Sequence, residues 1–471
     1  MLLTLSVPPY GFWPLAMVGF AILFWRLGRL DWRARLLAGA FAGLGLFGPG
    51  IFWINEFQKF GYVALVLLEV SFVALAGLLT PPRHGRAIGF ATAVLLAEVA
   101  RDRVPFGGFP LGGVVLGQVS GPLAPAARIG GPLLILGLTA FAGVAVFELV
   151  RRRWAKPMAI VVLTVLAVVA GRLDHSTHPD APLRVAVVQG GGTRGLRAVF
   201  SDPDVVFQRH LAASELVGVP VDLVVWPEDV IDLDTTLAGS PQQAAMANLA
   251  SRLHTTVVGG IVEDAGPDHF RNASVVWGPD GSIVGRYDKV HRVPFGEYIP
   301  GRSFIAHIAD LSIIPRDAIP GRGAGLVRTP AGRLGIMISY EVFFSDRARA
   351  AVRAGAEILL VPTNAASYKT SQVPTQELSA ARLRAIETGR VVLQAGPTGY
   401  SAIIDDRGHV VTRTTLGRQD VRQGTVLRRH GLTPYARTGD WPVVALAGIA
   451  LGGVGLVTIR RSDDGDLDRT V

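Results

Sequence analysis

At 471 residues, 49% of them apolar and only 18% charged, the chain is too long for one small domain and too apolar to be intrinsically disordered. Its net charge of +9 does not point to nucleic acid, because the Arg residues fall in short clusters between apolar runs, the pattern by which a membrane protein sets its orientation. Cysteine is absent and Lys occurs only at 59, 156, 289 and 369, which excludes disulfides, thiolate metal sites and a cysteine nucleophile.

Residues 1–172 are predicted to form a polytopic membrane domain of about six helices. Apolar runs lie at 10–26, 36–54, 62–80, 87–100, 129–150 and 157–171, and the longest approach the ~20 residues needed to cross a hydrocarbon core. A further span is expected at 441–459, followed by a cytoplasmic tail at 460–471 whose acidic composition predicts disorder. Met1–Val7 is too short to cross, and the first run lacks the basic leader of a cleaved signal peptide.

Basic residues mark alternate connections. Arg26, Arg29, Arg33 and Arg35 lie in the first, Arg83 and Arg86 in the third, Arg151, Arg152, Arg153 and Lys156 in the fifth, and Arg460 and Arg461 after the last span. The segments 55–61 and 101–127 between them are nearly charge-balanced. The positive-inside rule makes the basic loops cytoplasmic and places residues 173–438 outside the cytoplasm, in a multi-pass protein of the cell membrane. Glu69 falls mid-span, where a carboxyl needs a polar cavity or stays protonated at a helix interface. The Gly-rich apolar segment 106–111 reads as a re-entrant or interfacial loop.

Between 182 and 430 the texture becomes that of a layered α/β domain. Strands are predicted at 184–188, 221–226, 256–261, 274–277, 335–339, 358–362 and 391–394, and helices at 207–217, 241–253, 346–354 and 375–388.

Three motifs follow or end predicted strands, where loops present functional side chains. Trp226-Pro227-Glu228 puts a carboxylate there; alone it is equally a surface Glu, but shielded it is a general base. Lys289, in Tyr287-Asp288-Lys289-Val290-His291, is a Lys in a chain that otherwise uses Arg. A compact ammonium suits an oxyanion, although a solvated Lys has the same signature. Ser339 ends a buried strand that turns into a helix, the position of a helix N-cap or of an exposed nucleophile.

In order and local context these motifs resemble the nitrilase superfamily of carbon–nitrogen hydrolases, whose triad runs Glu, Lys, Cys. With the polytopic first half and the late single span, the chain resembles the apolipoprotein N-acyltransferase family over nearly its whole length. The matching segments include Gly108-Phe109-Pro110, Trp226-Pro227-Glu228, Asn272, Lys289, 294–300, Tyr340-Glu341, 382–390, Thr398-Gly399 and 433–440. The resemblance implies an extracytoplasmic nitrilase-like α-β-β-α sandwich. It implies transfer of an acyl chain from a phospholipid donor, through an acyl-enzyme, to the N-terminal diacylglyceryl-cysteine of a lipoprotein. It also implies that Glu228 is the general base, Lys289 the oxyanion stabiliser, and Glu297, Tyr340 and Glu341 the supporting residues. No metal or cofactor is expected.

The chain departs from the family at the nucleophile. Ser339 stands where the resemblance places cysteine; its hydroxyl must lose a proton as it attacks, and its ester is a poorer acyl donor to an amine than a thioester. Both half-reactions are expected to be slower. Ala365 and Ser367 replace an Asp and a Trp, Glu377 replaces a His, and Gly190-Gly191-Gly192 follows Gln189 without the usual Asn. One alternative is a catalytically silent homologue that binds lipid or lipoprotein, or scaffolds a polyprenol-phosphate mannose synthase. The other is a hydrolase of small amides, against which the membrane half argues.

Overall fold

The computed structural model describes residues 1–28, 30–307, 311 and 314–467, and the chain divides into two compact units. One comprises 1–174 and 438–471, the other 175–437. Arg29 of the basic pattern lies outside the described residues.

The first unit is helical. Its principal helices are Pro14–Leu27, Trp32–Gly50, Lys59–Leu79, Arg86–Arg101, Ala127–Val150, Ala155–Arg172 and Trp441–Leu467. Lys59–Leu79, Ala124–Val150 and Ala155–Arg172 are long and apolar enough to cross a membrane, and Pro14–Leu27 and Trp441–Leu456 are shorter apolar helices. The Asp31 carboxylate caps Trp32–Gly50 by accepting from Ala34 N–H, and the Gln58 side chain caps Lys59–Leu79 by accepting from Gly61 N–H. These two helices pack closely because Gly39 and Gly77 sit at the crossing. A Cβ on Gly39 would lie 2.5 Å from the Val73 carbonyl oxygen, and one on Gly77 2.6 Å from that of Arg35. The helix Trp441–Leu467 runs past Arg461 into the acidic stretch. Residues 468–471 lie outside the described residues.

Glu69 is buried at a helix interface. Its carboxylate lies 3.3 Å from the Arg101 guanidinium, which also binds Glu98 and donates to the carbonyls of Phe109 at 2.6 Å and Leu111 at 3.1 Å. Arg101 therefore gathers the Gly-rich loop about itself. That loop turns through positive φ at Phe106, Gly107 and Gly108.

The second unit stacks two sheets. Among the described residues, the first follows the order Asp420–Gly431, Thr177–Gln189, Leu223–Val225, Thr256–Asp264, His269–Trp277, Ile283–Asp288, with two short strands off this path. The second follows Val410–Arg413, Ala402–Ile404, Val392–Ala395, Ile358–Pro362, Gly332–Ile336, Leu326–Thr329. Val185, Leu223, Val258 and Val276 of the first sheet share a buried core with Leu334, Ile336, Leu360 and Leu393 of the second. On the other face of the first sheet, Val224, Trp226 and Val257 pack against Phe207 and Met246 of the helices Pro203–Ser214 and Pro241–Leu253. Ser345–Arg353 and Gln372–Thr388 cover the second sheet. The layers are thus α-β-β-α.

Parallel pairing of Leu223–Val225 with both neighbours, and of Gly332–Ile336, Ile358–Pro362 and Val392–Ala395 with one another, requires helical crossovers. The sequence marks the helix starts: Asp202 and Ser240 accept from the Asp204 and Gln243 N–H groups, with Pro203 and Pro241 at the first helical position. The crossovers bring the C-terminal ends of these strands to one edge, where residues 226–228, 339 and 363 emerge.

Candidate functional site

Glu228 follows the short strand Leu223–Val225. Trp226 anchors it from behind, fully buried, donating its indole N–H to Ser214 Oγ at 3.0 Å and its backbone N–H to the Val258 carbonyl. Gly260 on the next strand permits this course of the chain, because a Cβ there would lie 2.3 Å from the Pro227 carbonyl oxygen and 2.5 Å from Glu228 Cα.

Lys289 leaves the strand Ile283–Asp288, tied down by donation of its N–H to the Asn272 carbonyl. Its ammonium is 2% exposed and donates to Glu228 Oε1 at 2.8 Å and Glu297 Oε1 at 2.7 Å. Asn272 Nδ2 donates to the same two oxygens at 2.9 and 3.1 Å. Val293 N–H secures the other oxygen of Glu297 at 2.8 Å. Burial alone would favour neutral Lys289, but the two carboxylates outweigh it and hold the ammonium protonated well above its ordinary range.

Glu341 is fully buried and joins two loops. It accepts from the N–H groups of Val290 and His291, immediately after Lys289, and from the N–H of Ile338, immediately before Ser339. Tyr287 donates its hydroxyl to the same carboxylate and receives a 2.7 Å hydrogen bond from Arg347. Tyr340 packs its ring against Phe344 at 5.0 Å, in an aromatic cluster that includes His291.

Ser339 opens a 3-10 turn, Ser339–Phe343, and the strand before it runs Gly332–Ile336, ending three residues before the expected 335–339 segment does. Its φ of +49° is the left-handed conformation, costing of order 1–3 kcal/mol in a residue with a Cβ. The surrounding hydrogen bonds of Glu341 enforce it. Strand pairing sets Ile336 opposite Leu360, so Ser339 and Thr363, each three residues further on, come together.

Among the described residues, the hydrogen-bond partner of Ser339 Oγ is Thr363 Oγ1 at 3.4 Å, not Glu228. Among the described residues no hydrogen bond joins Ser339 to Glu228, whose Oε1 oxygen is held by Lys289 and Asn272. Thr363 in turn donates to Glu377 Oε1 at 2.6 Å. Glu377 is 3% exposed, and burial raises its pKa to about 8, with Glu228 reinforcing the shift and the Thr363 hydrogen bond and Lys289 opposing it. Tyr368 shares these surroundings: burial, then Glu377, Glu228 and Glu297, push its phenol above the usual range.

The structure therefore gathers Glu228, Lys289 and Glu297 into one cluster and ties the Lys289 loop to the Ser339 turn through Glu341. Asn272, Thr363, Tyr368, Tyr287 and Arg347 had been assigned no role from the sequence. Each is an ordinary polar residue in a strand, loop or helix, and pairing alone gives it meaning. Glu377 was visible as a departure from the family pattern, without a partner to explain it.

Residues 184–430 match the carbon–nitrogen hydrolase family, and residues 1–145 match the apolipoprotein N-acyltransferase N-terminal domain. An apolipoprotein N-acyltransferase of Geobacter metallireducens is 31% identical, over 95% of this chain and 92% of that protein. One from Mycolicibacterium smegmatis is 32% identical, over 95% of this chain and 82% of that protein. Of solved structures, Saccharomyces cerevisiae Nit3, a member of the nitrilase superfamily, is similar with a TM-score of 0.41 and 21% identity, covering 53% of this chain and 91% of that chain.

Proposed function

The chain belongs to the apolipoprotein N-acyltransferase family of carbon–nitrogen hydrolases, and from that premise we propose that it carries an acyl chain from a phospholipid ester to the N-terminal amine of a diacylglyceryl-cysteine lipoprotein, through an ester on Ser339. The observation that carries this reading is the buried Lys289 held between Glu228 and Glu297. Two of its three ammonium protons are committed, and the third suits an oxyanion on the acyl carbonyl. Ser339 Oγ attacks that carbonyl, the ester C–O bond breaks, and the lysophospholipid leaves as its alcohol. The lipoprotein amine then attacks the Ser339 ester and restores the hydroxyl. Glu228 is the general base of the site, Glu297 fixes Lys289, and Glu341 with Tyr340 supports the Ser339 turn.

The alternate-loop basic pattern supports a multi-pass chain in the cell membrane with residues 175–437 on the extracytoplasmic side. There the partners are phospholipid and lipoprotein. The replacement of a thiol by the Ser339 hydroxyl favours one competing reading, a silent homologue that binds lipid or lipoprotein or scaffolds a polyprenol-phosphate mannose synthase.

Complementation of an acyltransferase-deficient strain, with intact-mass analysis of the purified full chain after incubation with phospholipid vesicles, decides between them. Wild type is expected to restore N-acylation and to gain one acyl mass on Ser339, while Ser339→Ala does neither. A wild type that neither restores N-acylation nor takes up an acyl group is the silent homologue.

A further inference from the structure

Resting on that reading, we propose that Glu377 is a second catalytic base, dedicated to Ser339 and reached through the Thr363 hydroxyl. A hydroxyl has one hydrogen. With that of Thr363 on Glu377 Oε1 at 2.6 Å, Thr363 Oγ1 is left to accept the Ser339 hydroxyl, 3.4 Å away and open to tightening when substrate fills the site. All three side chains are at most 9% exposed. The second Glu377 oxygen, Oε2, is buried without a hydrogen-bond partner among the described residues, a costly arrangement for a residue that only filled space.

As Ser339 Oγ bonds to the acyl carbon, its proton passes to Thr363 Oγ1 and the Thr363 proton passes to Glu377. The carbonyl π electrons move onto the oxygen facing Lys289. When the intermediate collapses, the departing alkoxide takes a proton back along the same route, leaving the Ser339 ester and an ionised Glu377. Charges and protons balance without another reactant. Glu228, committed to Lys289 and Asn272, is then left for the amine that attacks in the second half-reaction.

A thiol ionises with modest help, whereas a hydroxyl needs a base during attack. The relay is therefore matched to Ser339, and it lies at a position where the family resemblance has His in place of Glu377. The groups facing Glu377 are Thr363, Glu228, Lys289 and Tyr368. On the turn packed against its helix, Glu341 is bound by Tyr287 and three backbone N–H groups. On Ser345–Arg353, Arg347 is bound to Tyr287, and Ser345 approaches Glu387. The strands Val392–Ala395 and Ala402–Ile404 beneath contribute no ionisable side chain.

The test measures the rate of Ser339 acylation by intact mass, using the full chain and phosphatidylethanolamine–phosphatidylglycerol vesicles. Glu377→Gln and Thr363→Val are each expected to slow acylation by roughly 100-fold or more. The wild-type rate is expected to climb between about pH 7 and 9 as Glu377 ionises, and Glu377→Gln to remove that rise. In a Ser339→Cys background, Glu377→Gln is expected to change the rate less than about threefold, which also shows that the substitution folds. An unchanged rate and pH profile in Glu377→Gln would overturn the relay while leaving the acyltransferase reading intact. So would an equal loss in the Ser and Cys backgrounds, which marks Glu377 as structural. Absence of any adduct in both wild type and Ser339→Cys overturns the acyltransferase reading itself.

Discussion

Glu341 Oε1 accepts the backbone N–H of His291 at 3.0 Å, while its other oxygen accepts that of Ile338 at 2.8 Å. One buried carboxylate thereby sets both the loop that delivers Lys289 and the left-handed turn that delivers Ser339. Glu341→Gln keeps the size but replaces an acceptor with donors facing N–H groups. It is expected to cost about 2–4 kcal/mol of stability and to reduce acylation by roughly 100-fold. The melting temperature and the single-turnover acylation rate check the two effects separately.

Lys289 bears on charge as well as geometry. Lys289→Met leaves Glu228 and Glu297 buried without their cation, a loss of about 3–5 kcal/mol. Lys289→Arg keeps the charge but brings a planar fork to a place shaped for a point ammonium, and acylation is expected to fall by roughly 100-fold. An Arg variant that both folds and acylates at the wild-type rate would remove Lys289 from the chemistry.

Gly260 tests whether the course of the chain at Glu228 matters. Its missing Cβ is the space taken by the Pro227 carbonyl and the Glu228 Cα. Gly260→Ala is therefore expected to displace Glu228 and to destabilise by about 1–3 kcal/mol. Acylation should fall further than the melting temperature alone explains.

His210 lies behind the same segment, fully buried beside the Trp226 ring at 5.6 Å with Nδ1 on the Val206 carbonyl at 2.8 Å. Burial lowers its pKa to about 4, so the folded protein keeps it neutral. The unfolded chain takes up a proton near 6.5, so this contribution is complete above that pH and is lost as pH falls toward 4, by about 2 kcal/mol at pH 5. His210→Phe is expected to flatten the acid side of a melting temperature–pH curve between pH 7 and 5.

Much of the fold was legible because helices and buried strands carry their own periodicity. The helix Pro241–Leu253 and the strand Ile358–Pro362 fall at the bounds expected from the sequence. Ile283–Asp288 and Asp420–Gly431 were missed. Both are rich in polar and charged residues and owe their strand form to the neighbours they pair with. At the site, Glu228 and Ser339 could be read because each adjoins a recognisable strand end, and Lys289 because it is a Lys in a chain that otherwise uses Arg; the Thr363–Glu377 pair beside Ser339 could not.

Chain chemistry alone determined that the protein has apolar spans, a layered α/β region, no thiol, and an ordered Glu, Lys and Ser at loop positions. These are properties of residue type and local spacing, which survive without a fold. The tertiary structure alone decided which carboxylate each group meets. That choice depends on register between strands, on one glycine that lets a chain pass, and on which buried oxygens are already taken. The Lys289 ammonium fell to Glu228 and Glu297, and the Ser339 hydroxyl to Thr363 and Glu377.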